Sequence, residues 1–244
     1  MDLATSRIMA VETSGRRGSV TVAEGPRRLA EEHFPTDRDH ARELIPAADR
    51  ACRAAGWRPR DLQQCYLSIG PGSFTGLRVA VAFARHLSLA VGARICAVPT
   101  LDVIAENVHP VHDAVTRLAV VLDAKRGQVF GAVYEPRQDG AGRPHWSRVA
   151  GPSLVTPAEL LTSFAPIVVI GEGAEYHRAG VETAGGTIAS ERWWWPTAAC
   201  VHELGMRLAA EGRFTHLRDL VPFYLRRPEA EELWEKRHGQ AAEQ

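Results

Sequence analysis

The chain has 244 residues, 45% of them hydrophobic and 24% charged, with 29 basic side chains against 29 acidic ones. That composition is of an ordinary globular protein long enough to bury a substantial core, and it excludes fibrous, disordered and miniature disulfide-scaffold classes. A net charge of zero also lacks the basic footprint that supplies most non-specific nucleic-acid affinity. Cys52, Cys65, Cys96 and Cys200 are widely spread and form no C-x-x-C pair, so they read as buried free thiols in a reducing compartment. The first seven residues do not build a leader, and no stretch approaches eighteen uninterrupted apolar residues. The expectation is a cytoplasmic protein with no membrane partner.

In chain order, residues 7–13 read as a strand, a polar turn follows at 14–18, and 19–23 resumes with Val20 and Val22 alternating, which makes a hairpin. Residues 27–34, after Gly25-Pro26, form a third strand. From 39 to 55 the apolar positions Ala41, Leu44, Ile45, Ala48, Ala51, Cys52 and Ala55 recur at spacings of three and four before Gly56, an amphipathic helix lined with small residues. A strand over 64–69, a glycine-rich turn over 70–76, a helix over 75–91, a strand over 95–98 and a short helix after Pro99-Thr100 complete the stretch.

The second stretch repeats this opening, with strands at 117–122, 128–134 and 145–150, a helix at 157–164, a buried strand at 167–170, helical turns over 172–181 and a helix over 196–210. Two units, each opening with a hairpin whose first strand ends in an acidic residue, Glu12 and Asp123, imply a duplicated α/β architecture. They divide the chain into 1–108 and 109–244, with the segment from about 217 free to return to the first unit. A single irregular α/β domain is the alternative.

The densest motif is Gly70-Pro71-Gly72-Ser73-Phe74-Thr75-Gly76-Leu77-Arg78, between a strand and a helix. Glycines let a backbone approach a ligand, and free amides at a helix start favour an anion, so Gly70, Gly72, Ser73, Thr75 and Gly76, with Glu12 and Asp123, form a candidate phosphate turn. The spacing matches neither the dinucleotide fingerprint nor the P-loop, and a tight turn capped by Ser73 or Thr75 explains the same residues. The helix that follows is apolar almost all round, relieved only by Arg78, Arg85, His86 and Ser88. A second apolar face needs a second burial partner, either the other unit or another protein.

Catalytic patterns are missing: Leu44 stands where a second histidine would complete a metal pair with His40, no nucleophile elbow occurs, and His109 and His112 flank Pro110 in a polar loop. No catalytic and no metal-ligating residue is assigned. Lys125 beside Asp123 reads as phosphate ligand or solvated ion pair, and Trp193-Trp194-Trp195 as exposed patch or buried entry to the next helix.

Several of these runs together resemble the TsaB (YeaZ) family: Met9-Ala10-Val11-Glu12-Thr13-Ser14 with Gly18-Ser19-Val20, His40 with Leu44-Ile45-Pro46, the turn from Gly70 to Arg78, Asp123-Ala124-Lys125-Arg126-Gly127-Gln128-Val129-Phe130, Gly171-Glu172-Gly173, and Pro222-Phe223-Tyr224-Leu225-Arg226 with Ala230-Glu231. The resemblance implies an actin-like (ASKHA) fold of two ribonuclease-H-like units with mixed sheets. It implies a non-catalytic subunit that binds the transferase TsaD and works with the ATPase TsaE, in an assembly that places a threonylcarbamoyl group on N6 of adenosine 37 in tRNAs reading codons that start with A. The family's association surface, carried over to the first two helices, gives Ala41, Leu44, Ile45, Ala48, Cys52, Leu77, Arg78, Val81 and Arg85 as partner-binding residues. ATP or ADP and magnesium belong to the complex rather than to this chain, tRNA is touched indirectly, and the isolated chain covers its apolar seam as a homodimer. Glu12 departs from the family's usual aspartate by one methylene. An active nucleotide-dependent transferase or kinase, with the glycine turn and Asp123 gripping phosphate, is the rival reading.

Overall fold

A computed structural model describes residues 2–34, 40–109, 115–140 and 142–226. The first sheet is built from β1 (Arg7–Glu12), β2 (Ser19–Glu24), β3 (Arg27–His33), β4 (Gln64–Ser68) and β5 (Arg94–Val98) in the order β3-β2-β1-β4-β5. Strands β1 and β2 pair antiparallel, whereas β4 joins β1, and β5 joins β4, in parallel. The apolar runs of β1 and β4 are buried almost throughout, as parallel strands covered on both faces must be.

The second sheet repeats the pattern. Its strands β6 (Leu118–Asp123), β7 (Val129–Gln138), β8 (Pro144–Val155), β9 (Ile167–Ile170) and β10 (Gly186–Ile188) follow the order β10-β9-β6-β7-β8, the same succession as in the first sheet. Again the opening pair is antiparallel and the later strands are parallel. The chain is therefore built of two ribonuclease-H-like units with mixed sheets. The expected strands and helices form, with shifted ends: β7 and β8 run further than the alternation suggests, and the three-residue β10 is too short to show a period.

Helices α1 (His40–Ala54) and α2 (Phe74–Val91) cover one face of the first sheet. Ser73 caps α2, its hydroxyl accepting from Gly76 N–H, and Gly92 ends it in the left-handed conformation. The short helices α4 (Pro157–Leu161), α5 (Gly173–Tyr176) and α6 (Arg178–Thr183) cover the outer face of the second sheet. The inner faces are covered crosswise. Helix α3 (Thr100–Ala105), which follows β5, packs on the second sheet, whereas α7 (Ala198–Ala210), from the chain's last third, packs on the first. Packing thus does not divide where a cut after residue 108 would. Leu101, Ile104 and Trp194 fill the core between α3 and the second sheet; Ile8, Tyr66, Cys96, Ala198 and Val201 fill the one beneath α7.

Candidate functional site

Between the two sheets lies a cleft of about 460 Å³. One wall is the β1–β2 turn at Ser14, Gly15 and Arg16 with the glycine turn at Gly72, Ser73, Thr75 and Gly76; the other is Leu122, Asp123, Phe130 and Glu172. Ile104, Trp194 and Trp195 add an apolar portion, and His40 reaches the lining from α1. Five of the seven phosphate-turn candidates, Gly72, Ser73, Thr75, Gly76 and Asp123, therefore meet at the cleft. Gly70 and Glu12 are not part of the lining and lie buried.

The glycines answer to a steric demand from the chain itself. A Cβ on Gly76 would lie 1.9 Å from the Thr13 carbonyl oxygen, and one on Gly72 would lie 2.4 Å from that of Ser14. Thr13 Oγ1 donates to the Gly76 carbonyl at 2.8 Å, and the amide of Ser73 donates to Ser14 O at 2.7 Å. Gly76 N–H is taken by the Ser73 hydroxyl and Leu77 N–H by the Ser73 carbonyl. These bonds occupy the amides of Ser73, Gly76 and Leu77 and seat the start of α2 against the β1–β2 turn.

The carboxylates are likewise occupied. Glu12 is fully buried, folds back so that Oε1 accepts from the amide and hydroxyl of Ser14, and has its pKa raised by desolvation. Asp123 Oδ1 faces His177 Nε2 at 2.9 Å and accepts from the Lys125 amide at 3.1 Å. Its partner is therefore His177, in place of the Lys125 ammonium that the sequence suggested. Burial raises the pKa of Glu172, which lies 3.4 Å from Arg16 Nε, while Arg16 Nη2 donates to Tyr176 Oη at 2.6 Å. Arg16, from the first unit, so spans the cleft mouth to two residues of the second.

Of the two strand-end carboxylates, Glu12 is held inside the fold by Ser14, and Asp123 lines the cleft with Oδ1 engaged by His177 and the Lys125 amide. Among the described residues no group of three His, Cys, Asp or Glu side chains is placed to hold a metal. His40 packs edge-on to Phe34 with ring centroids 5.9 Å apart, and His109 is exposed; His112 lies outside the described residues. The tryptophan run resolves toward burial, for Trp194 is 8% exposed, and Asn107 Nδ2 donates to the carbonyls of Trp193 and Trp195. All four cysteines are buried, with Cys65, Cys96 and Cys200 pushed up to about 12 by desolvation.

The second site is the outer face of α1 and α2. Here the sequence-derived residues need correction: Leu44, Ala48 and Cys52 are buried in the chain's own core against the first sheet and Leu77 is fully buried, so these four are closed to a partner, while Val81 packs in that core and shows only an edge to the outside. Helical periodicity finds the apolar stripe without telling which side of it meets the sheet. Ala41, Ile45, Arg78 and, in part, Arg85 face outward, joined by Phe74, Ala82 and Leu89, which the sequence reading did not single out. Ile45 is 67% and Leu89 76% exposed. Helix α2 is long and apolar enough by composition to cross a membrane, yet Leu77, Ala80, Val81 and Ala84 on its inner side pack on the sheet, and Arg78 lies among its outer residues.

Two mixed sheets of identical strand order, with a cleft between them and helices outside, define a protein of the actin-like class. A family model described as TsaD, tRNA N6-adenosine threonylcarbamoyltransferase, matches residues 35–184. The chain is 26% identical over 234 residues to the tRNA threonylcarbamoyladenosine biosynthesis protein TsaB of Bacillus subtilis, covering 93% of this chain and 97% of that one. To the Escherichia coli protein of the same name it is 24% identical, over 96% and 99% of the two chains. The structure of YeaZ from Pseudomonas aeruginosa matches with a TM-score of 0.74 at 21% identity, over 90% of this chain and all of that one. The chain belongs to the TsaD-like family, in its TsaB/YeaZ group.

Proposed function

We propose that this chain is a non-catalytic subunit in the biosynthesis of threonylcarbamoyladenosine in tRNA, acting by binding a TsaD-like transferase through the outer face of α1 and α2. The role in that biosynthesis is supported by curated TsaB relatives matched over nearly their whole length. The adaptor role is carried by one observation: two adjacent helices leave Ile45 and Leu89 more than 60% exposed. Exposed aliphatic side chains flanked by Arg78 and Arg85 suit a stable protein contact. The partner shares the duplicated fold, so helix pair meeting helix pair buries both surfaces. Without the partner, the same face pairs with its copy. A TsaE-like ATPase then joins through the complex, nucleotide and magnesium are supplied there, and tRNA is met mainly by the transferase.

The test is a reconstituted threonylcarbamoyl transfer to tRNA with TsaD-like and TsaE-like subunits and the threonylcarbamoyl adenylate, with and without this chain, beside an ATPase assay of the chain alone. Transfer that needs the chain, with no ATP turnover by the chain itself, is the expected result. Transfer indifferent to the chain would overturn the adaptor reading, and ATP turnover abolished by Asp123→Ala would establish the nucleotide-dependent enzyme instead.

A further inference from the structure

The run Pro222-Phe223-Tyr224-Leu225-Arg226 has a place in neither the cleft lining nor the α1–α2 stripe. Residues 220–226 contain no helix or strand, yet they are fastened along their length to three separate parts of the molecule. Leu220 is fully buried in the core under α1 and α2, and its carbonyl accepts from Arg85 Nη2 at 2.7 Å. The Phe223 amide donates to Ile69 O at 2.7 Å, and its carbonyl oxygen would lie 2.5 Å from a Cβ on Gly70, at the root of the glycine turn. Tyr224 packs on Phe74 with ring centroids 5.2 Å apart, and its hydroxyl accepts from Arg78 Nε at 3.3 Å. Finally the Arg226 guanidinium crosses to the other unit, where it donates to the Ala124 carbonyl and, at 2.7 Å, to Gln128 Oε1.

Two of these attachments are the walls of the cleft, because Gly70 leads into Gly72–Gly76 and Ala124 follows Asp123. The β6–β7 turn is one that needs holding. Lys125 and Arg126 have φ of 60° and 54°, a left-handed conformation that side chains other than glycine rarely take. Arg226 grips that turn on both sides of the pair. The third attachment is a groove of about 540 Å³ on α2, whose lining includes Arg78, Val81 and Ala82 together with Val221, Pro222 and Tyr224. Val221 is 56% exposed. A protein seated in the groove presses on Pro222 and Tyr224, which flank Phe223 and lead to Arg226, the two residues that fasten the cleft walls.

We propose that residues 220–226 are a tie through which a protein docked on α2 sets the separation of the cleft walls. The dependence is reciprocal: whatever holds the walls together changes affinity at the groove by the same factor. That the docked protein is the TsaD-like subunit rests on the function proposed above; the tie within the chain does not.

The experiment is amide hydrogen exchange on the full chain, with a substitution at one end and the readout at the other. Tyr224→Ala, at the groove, is expected to speed exchange in the 124–128 turn about fivefold or more, as loss of one attachment raises local opening. Arg226→Gln is expected to do the same at the start of α2, and the double variant to add little at either place. Far-ultraviolet circular dichroism confirms folding; Arg78→Gln, at an exposed position, which removes the guanidinium that donates to the Tyr224 hydroxyl, replaces Tyr224→Ala if that variant does not fold. Changes confined to the substituted end in both variants would overturn the tie. In a second arm the TsaD-like subunit is added: exchange in the 124–128 turn slows in the wild type, whereas Arg226→Gln still forms the complex on gel filtration without slowing the turn. Equal slowing in both would overturn the tie, and absence of any complex would overturn the partner reading while the first arm still decides.

Discussion

Ile45 and Leu44 are neighbours on α1 with opposite surroundings, Ile45 67% exposed and Leu44 1%. If a partner covers Ile45, roughly 120 Å² of apolar surface leaves water there, worth about 3 kcal/mol at about 25 cal/mol per Å². Ile45→Ala forfeits most of that, about 2 kcal/mol, which is about thirtyfold in Kd. Ile45→Glu would place an unpaired carboxylate in the contact and add several kcal/mol more, so binding should fall below detection. Neither substitution should change folding stability by more than about 0.5 kcal/mol, since the side chain faces solvent in the isolated chain. Leu44→Ala is the counter-case: it opens a cavity in the core and should destabilise the fold by about 2–5 kcal/mol, weakening binding only as the folded fraction falls. Isothermal titration calorimetry against the TsaD-like subunit, with urea unfolding of each variant, separates the two. Unaltered affinity of Ile45→Ala and Ile45→Glu would refute the placement of the contact on this face.

Other consequences are open to direct measurement. Gly76→Ala drives a Cβ to 1.9 Å from the Thr13 carbonyl, so urea unfolding should show a loss of about 3 kcal/mol or more, and wild-type stability would contradict the packing account of the glycine turn. His202 is buried, and desolvation lowers its pKa from 6.5, so the unfolded chain takes up a proton before the native one does. Its contribution to stability is intact above the unfolded value and declines as pH falls below it, with a slope approaching about 1.4 kcal/mol per pH unit. His202→Gln should remove that component when unfolding is compared at pH 7.5, 6.5 and 5.5; identical pH dependence would show that the group is not desolvated in the fold. The four thiols, with Cys52 pushed up to about 11 and the other three to about 12, should resist alkylation at pH 8 until denaturant is added.

What sequence revealed followed from period and length. The doubled opening of the chain was legible because β1 and β6 are long apolar runs followed by turn residues, and α1 and α2 show a helical repeat. Strand β10 escaped notice because three residues show no alternation. Which half of the α1–α2 stripe faces water depends on where the sheet lies, so the sequence advanced the buried Leu44 and Leu77 together with the exposed Ile45 and could not separate them. The glycine turn reads identically whether its neighbour is a phosphate or the Thr13 carbonyl; only the fold shows that Thr13 and Ser14 come to lie against it. Arg16, Tyr176 and His177 had no local signal, since their partnerships join residues more than fifty positions apart.

The crosswise seating of α3 and α7 bears on how such a chain folds and where it breaks. Each sheet is roofed on its inner side by a helix encoded with the other, so a nascent first unit leaving the ribosome presents Tyr66, Cys96 and Val98 bare until residues 198–210 have been synthesised. Neither half is a closed fragment. Cutting the gene at the apparent boundary should give two pieces that aggregate alone and recover only when mixed, and the doubled architecture behaves in folding as one cooperative body.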